Sequence, residues 1–525
     1  MRKLLLLVLV FISGMSYAIA QSAVTGTVTD ENGEGIPGAN IVIKGTSQGT
    51  ITDIDGAFSI NASSSDVLVV TYVGYSTVEI PVGSQANISI SLNEDIAALD
   101  EIVVTGYGTQ VRKEITSAVT SLNEEDFNQG LVSNPMGLLE GKVAGLSITK
   151  PGSDPNGGFT LRLRGISTVG ANASPLVVID GVIGGNLDLV DPADIESIDV
   201  IKDGAAAAIY GTRGSSGVIL VTTKKGTAGA TKVEYSVSTS VDQIARSMDV
   251  MTAAEYRALP GAVDFGADTD WVDLVTRDGV SQVHNLAVSG GTSNTTYRMA
   301  VNYREQQGIL KGTGFNNLNT NLNLSQKAMN GKAVIDVNIS YSNKDASYGF
   351  GNEGFRYAYM SNPTMPIYDP NSIYGGYHER TIFDYYNPVS IVEQNINEGN
   401  DNLFLGSVKG TFDLSAIANG LNASVAYTRQ ITDTERGQYY RKTSRFRGSD
   451  RNGLAITDNG QFTFDLFEGT LGYNGEAGDL GINALVGYSY QEFFNEGYHA
   501  EGGDFLTDAF TYYNLGAAAD FNNGL

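Results

Sequence analysis

The chain contains no cysteine in 525 residues, so disulfides contribute nothing to its stability and a thiolate nucleophile is excluded. It is also short of positive charge, with 33 Lys and Arg against 58 Asp and Glu and a formal net charge of −25. Binding nucleic acid requires a basic patch to neutralise phosphates; none stands out, which excludes nucleic acid as a partner. Histidine is scarce: His284, His378 and His499 lie far apart in sequence. No G-x-S-x-G elbow occurs, since Gly214-Ser215-Ser216-Gly217 lacks that spacing. No residue is singled out as catalytic, and neither a cofactor nor a metal is implied. Beyond the amino terminus no stretch approaches the roughly 18 apolar residues of a spanning helix. Any passage through a membrane must therefore use strands.

The amino terminus itself is informative. Arg2 and Lys3 precede an apolar run from Leu4 to Ile12, and Ala18-Ile19-Ala20 forms a small-x-small site before Gln21. Residues 1–20 read as a signal peptide cleaved between Ala20 and Gln21, and the lack of cysteine argues against a lipoprotein signal. An exported protein without disulfides must rely on extensive sheet or on bound partners. The 63 Gly and 27 Tyr, with many alternating segments, suit an outer-membrane barrel.

Residues 21–93 form the first module. Alternating runs at Asn40 to Lys44, Ala57 to Asn61, Val67 to Val73 and Asn87 to Leu92 are separated by turn-rich clusters, which predicts a small β-sandwich. Asp53 and Asp55 precede Gly56, but a calcium loop needs more oxygen donors at fixed spacing, so a tight turn is expected there.

A linker over 94–112 carries LDEIVVTGYG, Leu99 to Gly108. Its β-branched residues make a short strand without a sheet of its own, a handle for another protein that binds by strand addition. Residues 113–227 then read as a compact α+β domain. A short helix starting at Pro192 leads into a strand at Ile198 to Lys202, another short helix spans Ala205 to Tyr210, and Gly217 to Thr223 is a buried strand. The loop Gly211 to Gly217 follows a helix and opens a strand, the wrong geometry for a phosphate loop.

From residue 228 to 525 period-2 alternation dominates. Val233, Tyr235, Val237 and Val241 share one face, as do Tyr297, Met299, Val301 and Tyr303, and Ile335, Val337, Ile339 and Tyr341. Nine strands are expected, near 231–241, 282–289, 296–304, 317–325, 333–342, 402–412, 421–429, 461–473 and 480–491. Short and long connections alternate between them. A soluble sandwich or solenoid with one buried face explains the alternating side chains but not the alternating loops; a transmembrane barrel explains both. Tyr303, Tyr341, Tyr427, Tyr473, Tyr488 and Tyr490 fall where an aromatic girdle in contact with outer-membrane lipid belongs.

GTVTDENGEGIPGANIVIKGT with DIDGAFSI resembles the carboxypeptidase regulatory-like domain. Adding LDEIVVTGYG, LRLRG and IYGTRGSSGVILVTTKKG, the chain resembles the SusC/RagA family of TonB-linked outer-membrane transporters along essentially its whole length. The fold class is then mainly β: signal peptide, regulatory-like sandwich, α+β plug, and the first part of an antiparallel barrel, about nine of about 22 strands. The resemblance implies that Asp100, Glu101, Ile102, Val103, Val104 and Thr105 are the TonB box, recognised by TonB in the periplasm. For Arg162 and Arg164, grouped with Arg213 as plug and lumen candidates, two readings stand: pairing with carboxylates of the lumen wall, or holding the plug's own fold. The aromatic loop from Asn343 to Asp401, with Tyr374, Tyr377, Tyr385 and Tyr386, is ranked first as the seat of a SusD-like lipoprotein lid, then as self-packed, then as a ligand platform. The implied function is TonB-energised import of oligosaccharides or peptides across the outer membrane. The alternatives are a siderophore or cobalamin receptor, which would lack the regulatory-like domain, and a truncated periplasmic binding or signalling module. The ninth strand ends at the outer face with the chain stopping in an external loop, so the sequence is expected to be the N-terminal part of a longer transporter. An open sheet would leave unpaired edges in lipid.

Overall fold

The computed structural model describes residues 22–92, 102–105, 108–111 and 119–524, apart from short stretches within these ranges, the longest being 167–172 and 203–207. The expected signal peptide, its cleavage site at Ala20 and Gln21, and Asp100 and Glu101 lie outside the described residues. The chain forms two compact units, Met1–Thr116 and Ser117–Leu525.

In the first unit, alternation builds a sandwich. Ala57–Ala62, Ser22–Thr29 and Asn87–Ser91 form one sheet, and Gly49–Ile51, Asn40–Ile43, Val67–Thr71 and Val78–Pro81 form the other. Every second residue faces inward, so Val24, Val28, Ile41, Phe58, Ile60, Leu68, Val70, Ile88 and Ile90 make one core. Asp53 closes the expected turn: its Oδ1 accepts the N–H groups of Asp55 at 3.0 Å and Ala57 at 2.8 Å, and Gly56 adopts φ +76°. The handle does have a partner. Ile102–Thr105 pairs antiparallel with Gly108–Val111, pairing Val103 with Gln110, as a separate two-stranded hairpin.

The second unit begins with the plug. Its five-stranded sheet runs in the order Val119–Asn123, Ile195–Ile201, Val218–Thr223, Leu176–Ile179, Val182–Ile183. Ile195, Ile198, Val200, Ile219 and Val221 fill its core beside Met136, Leu139 and Leu163. The two expected helices are short 3-10 turns, Pro192–Asp194 and Ala208–Ser216, the latter broken at Gly211 with φ +66°. Residues 203–207 of the second expected helix lie outside the described residues.

Ten antiparallel strands, each paired with the next in sequence, form the wall, and it is an open sheet: among the described residues its edge strands, Gly229–Asp242 and Ala518–Gly524, do not pair with each other. The count differs from the nine expected because the chain continues into Ala518–Gly524, which pairs with Leu480–Phe505 where an external loop was expected. The later strands are also longer than a tilted bilayer crossing of about 9–11 residues: Asn395–Asp413 has 19, Leu421–Tyr440 20, Leu454–Ala477 24 and Leu480–Phe505 26. Much of what reads as long loop, around 305–316 and 430–460, is strand. Alternation fades there because both faces of the strands turn polar, which removes the periodic signal while leaving the ladder intact.

Burial settles which way the wall faces. Arg298, Asn302, Arg304, Asn319, Leu403, Leu405, Thr428 and Phe464 are buried, whereas their alternating neighbours Met299, Tyr303, Leu318, Phe404, Tyr427 and Phe467 are exposed. Apart from Thr428, which bonds Ser407 within the wall, the first set meets the plug; the second forms an outward apolar band containing most of the expected girdle.

Candidate functional site

The plug and the wall meet through polar side chains whose placement follows from the period of the strands. In Thr295–Gln307, the even-numbered Arg298, Asn302 and Arg304 share the inward face. In Gly314–Ala328, the run LNTNLNL aims Asn319, Asn321 and Asn323 inward and Leu318, Leu322 and Leu324 outward.

Opposite them lies the plug segment Asp191-Pro192-Ala193-Asp194. Asp191 caps the turn, its Oδ1 accepting Ala193 N–H at 2.9 Å, with Pro192 supplying the favoured first-turn φ. Its Oδ2 accepts from Arg304 Nη2 at 3.2 Å. Asp194 is held by three donors from two wall strands: Arg298 Nη2 at 3.0 Å and Asn302 Nδ2 at 2.5 Å from one strand, and Asn321 Nδ2 at 3.2 Å from the next, with Arg298 also 3.5 Å from Glu234 of the first wall strand. Arg304 Nη1 donates to Val132 O at 2.5 Å. Wall amides reach plug carbonyls, Asn323 to Lys224 O at 3.3 Å and Asn319 to Asp188 O at 3.5 Å; in return Asn156 of the plug donates to Gly314 O and Ser347 O. One apolar contact completes the interface, Val182 and Leu189 of the plug against Leu403, Leu405, Phe464 and Leu466 of the wall.

This interface is chiefly a set of discrete charge-assisted hydrogen bonds. It uses carboxylates on the plug and arginines on the wall, the reverse of the pairing considered for Arg162 and Arg164. Arg162 Nη1 donates to Leu161 O at 2.7 Å and Ser174 Oγ at 3.1 Å, both within the plug. Arg164 does not continue the strand face: Thr160–Leu163 ends before it, it turns at φ +57°, and it is exposed, while Leu161 and Leu163 are buried. Arg213 is exposed on the kinked 3-10 turn. Asp191, Asp194, Arg304 and the asparagine ladder were missed in sequence. Their signal was present in the polar positions of the alternating strands and in the DPAD turn, but polar residues on a barrel's inner face do not announce which of them will be buried.

The long loops between the first two strands and after Ala333–Ser347 fold into one helical module over the inner face. Its helices are Ala253–Arg257, Trp271–Val275, Gly351–Met360 and Pro388–Gln394. Trp271, Val275, Met365 and Val389 form its core, and Trp271 Nε1 donates to Asn362 O at 2.9 Å. The four candidate tyrosines are engaged within it. Tyr377 donates to Glu393 Oε2 at 2.7 Å; Tyr385 Oη accepts Asn362 N–H at 2.9 Å; Tyr386 packs edge-on to Tyr357 at 5.2 Å; and Tyr374 O accepts from Gln394 at 3.3 Å. Self-packing, ranked second from sequence, is what the side chains of Tyr377, Tyr385 and Tyr386 do, while Tyr374 is held through its backbone. The module instead offers solvent Phe383, 96% exposed, and Ile373, 80% exposed.

No helix among the described residues is long and apolar enough to cross a membrane, which says nothing of crossing by strands.

Two domain families match the chain: the CarboxypepD_reg-like domain over residues 24–104 and the TonB-dependent Receptor Plug Domain over residues 111–218. The TonB-dependent receptor SusC of Bacteroides thetaiotaomicron is 35% identical over 447 residues, covering 78% of this chain and 44% of the relative. A TonB-dependent receptor of Formosa agariphila is 34% identical, covering 94% of this chain and 51% of the relative. Among solved structures, the RagAB peptide importer in its open-open state superposes with a TM-score of 0.67 at 20% identity, covering 81% of this chain and 53% of that one. The chain thus spans about half the length of the curated relatives it matches. With a regulatory-like sandwich, a plug and a plug-filled wall of strands in that order, the chain belongs to the SusC/RagA family of TonB-dependent receptors.

Proposed function

We propose that the chain serves TonB-dependent import of a nutrient, an oligosaccharide or a peptide, across the bacterial outer membrane, together with a SusD-like surface lipoprotein. The observation that carries this reading is the plug seated against an outwardly apolar strand wall through a few buried ion pairs, chiefly Asp194 with Arg298 and Asp191 with Arg304. A seat of that kind closes a passage yet is released by breaking a small number of bonds. On this reading the sandwich and hairpin face the periplasm, and Asp100 to Thr105 is the grip for TonB. The backbone of Ile102–Thr105 supports it: an isolated two-stranded hairpin is only marginally stable, so the strand is available for exchange with an incoming one. A handful of backbone hydrogen bonds at a net of about 0.5–1.5 kcal/mol each gives a grip that forms and releases. Phe383 and Ile373 on the helical module suit an apolar seat for the lipoprotein.

Val103→Pro removes a backbone donor from the grip. It should abolish uptake of the nutrient while surface display stays normal; uptake at the wild-type rate would sink the assignment.

A further inference from the structure

A cavity of about 1110 Å³ lies outside the wall rather than within it. The facing rule shows this. The ladders from Asn395–Asp413 through Leu480–Phe505 run without a register shift, so parity carries upward from the apolar band. Glu398 and Asn400 share the outward side with Phe404, Glu435 and Gly437 with Tyr427, and Thr457 and Asn459 with Phe467. Glu435 lies eight residues beyond Tyr427, about 26 Å along the strand at roughly 3.3 Å per residue. The Glu435 end of the groove therefore lies beyond the apolar band, in water, while its Glu305 end begins two residues past Tyr303.

Its end wall is an aromatic stack fitted to the strand. A Cβ on Gly437 would lie 2.3 Å from the Tyr512 ring, so the glycine lets that ring lie directly on the backbone. Tyr513 packs on Tyr512 with ring centroids 4.3 Å apart and is 78% exposed. Both hydroxyls point at Glu398 Oε1, Tyr512 closely and Tyr513 at 3.3 Å, which fixes the pair. Across the groove Asn459 donates to the Tyr498 hydroxyl at 2.8 Å, leaving that hydroxyl's proton free to donate. No part of the plug seat or the helical module uses these residues.

We propose that this groove is a binding site for a neutral oligosaccharide on the outer wall of the barrel. The held, exposed face of Tyr513 is a platform for a sugar ring, and amides and hydroxyls along the strands bond ring hydroxyls. At about 1110 Å³ the cavity exceeds the roughly 300–1,000 Å³ of small-molecule pockets, so it suits several linked rings rather than one. Glu305, Asp345, Glu398 and Glu435 outweigh Arg277 and Arg436 along it and repel anionic sugars. A basic peptide fits less well. Glu398 is occupied by the two tyrosines and Asp345 by Asn400 Nδ2 at 2.6 Å, and a flat ring platform favours a ring. The inference is independent of the transport reading.

The test is retention of labelled sugars on native membranes from producing cells. The probes are neutral hexasaccharides of glucose, galactose and mannose, uronic-acid hexamers of equal length, and a Lys-Arg hexapeptide. The expected result is retention of a neutral hexamer over its uronic counterpart, weakened roughly three- to tenfold by Tyr513→Ala and kept by Tyr513→Phe. Glu435→Gln, an exposed change two residues from Gly437 that leaves both tyrosines and Glu398 in place, should narrow the gap between neutral and uronic sugars. Sensitivity to Tyr513 separates this groove from any site in the lumen. Failure to retain any neutral hexamer, indifference to Tyr513→Ala, or preference for the basic peptide would each overturn the proposal.

Discussion

Arg298 of the wall and Asp194 of the plug meet at 3.0 Å with side chains only 8% and 5% exposed, so the strongest link between the two parts is an ion pair shut away from water. Such a pair adds little net stability while intact, but removing one charge strands the other. Asp194→Asn leaves Arg298 buried with only Glu234, 3.5 Å away, as a carboxylate partner. The plug seat should weaken by about 3–5 kcal/mol, seen as faster amide exchange through Ile195–Ile201. Arg298→Met with Asp194→Leu removes both charges but also the acceptor of the Asn302 and Asn321 amides, so it should recover only part of that protection.

The helical module should respond to pH. Glu379 is shut in, its side chain 1% exposed, with Asn387 N–H at 3.1 Å and Arg445 Nη1 at 3.7 Å. Burial, only partly offset by these partners, pushes its carboxyl from the ordinary 4.5 up to about 7. The folded value exceeds the unfolded one, so its contribution to stability is fully present below pH 4.5 and is lost as pH rises through about 7. Protease resistance of residues 351–394 should fall between pH 5 and pH 8. Glu379→Gln keeps an acceptor for Asn387, so it should flatten that dependence and raise resistance at pH 8.

Trp271 is the single tryptophan of the chain and 3% exposed, so emission reports on the module alone. Its indole N–H satisfies Asn362 O. Trp271→Phe leaves that carbonyl buried without its donor and should cost the module about 1–3 kcal/mol. Trp271→Ala adds a cavity and should cost about 3–5 kcal/mol. In both cases cleavage within 351–394 should accelerate while the wall's far-ultraviolet β signal is unchanged.

How much of this was readable in sequence depended on periodicity. Val24, Ile41 and Phe58 in the sandwich and Met299, Tyr303 and Phe467 in the wall obey period 2 with one apolar face, and they fell where alternation put them. Where both faces are polar, as from Asn395 to Asn402, the strand continues through hydrogen bonding that no side chain encodes, and it reads as loop. Tyr374, Tyr377, Tyr385 and Tyr386 were visible as an aromatic cluster, but their partners, Glu393, Asn362, Met365 and Tyr357, come from elsewhere in the module and are set by tertiary packing. Asp194 was legible as the end of a short turn; that three wall side chains converge on it follows from seating the plug within the sheet.

The exit of the chain from plug to wall should be intolerant of any side chain at Gly226. A Cβ there would lie 2.2 Å from Tyr297 O and 2.4 Å from its carbonyl carbon, backbone atoms of a residue paired on the strand ladder that resist displacement. The strain must move the 224–226 segment, which is pinned on both sides: Lys224 N–H donates to Asp194 O at 2.8 Å, and Asn323 Nδ2 donates to Lys224 O at 3.3 Å. Gly226→Ala should therefore loosen the Asp194 seat from a distance, costing about 1–3 kcal/mol by overpacking. Trypsin is the natural reporter because Lys224 and Lys225 flank the site, and cleavage after them should accelerate several-fold. Gly158→Ala in the same plug, where a Cβ meets nothing within 4 Å, should leave the cleavage rate unchanged. Equal rates for wild type and Gly226→Ala would mean that the plug exit has room that this geometry denies it.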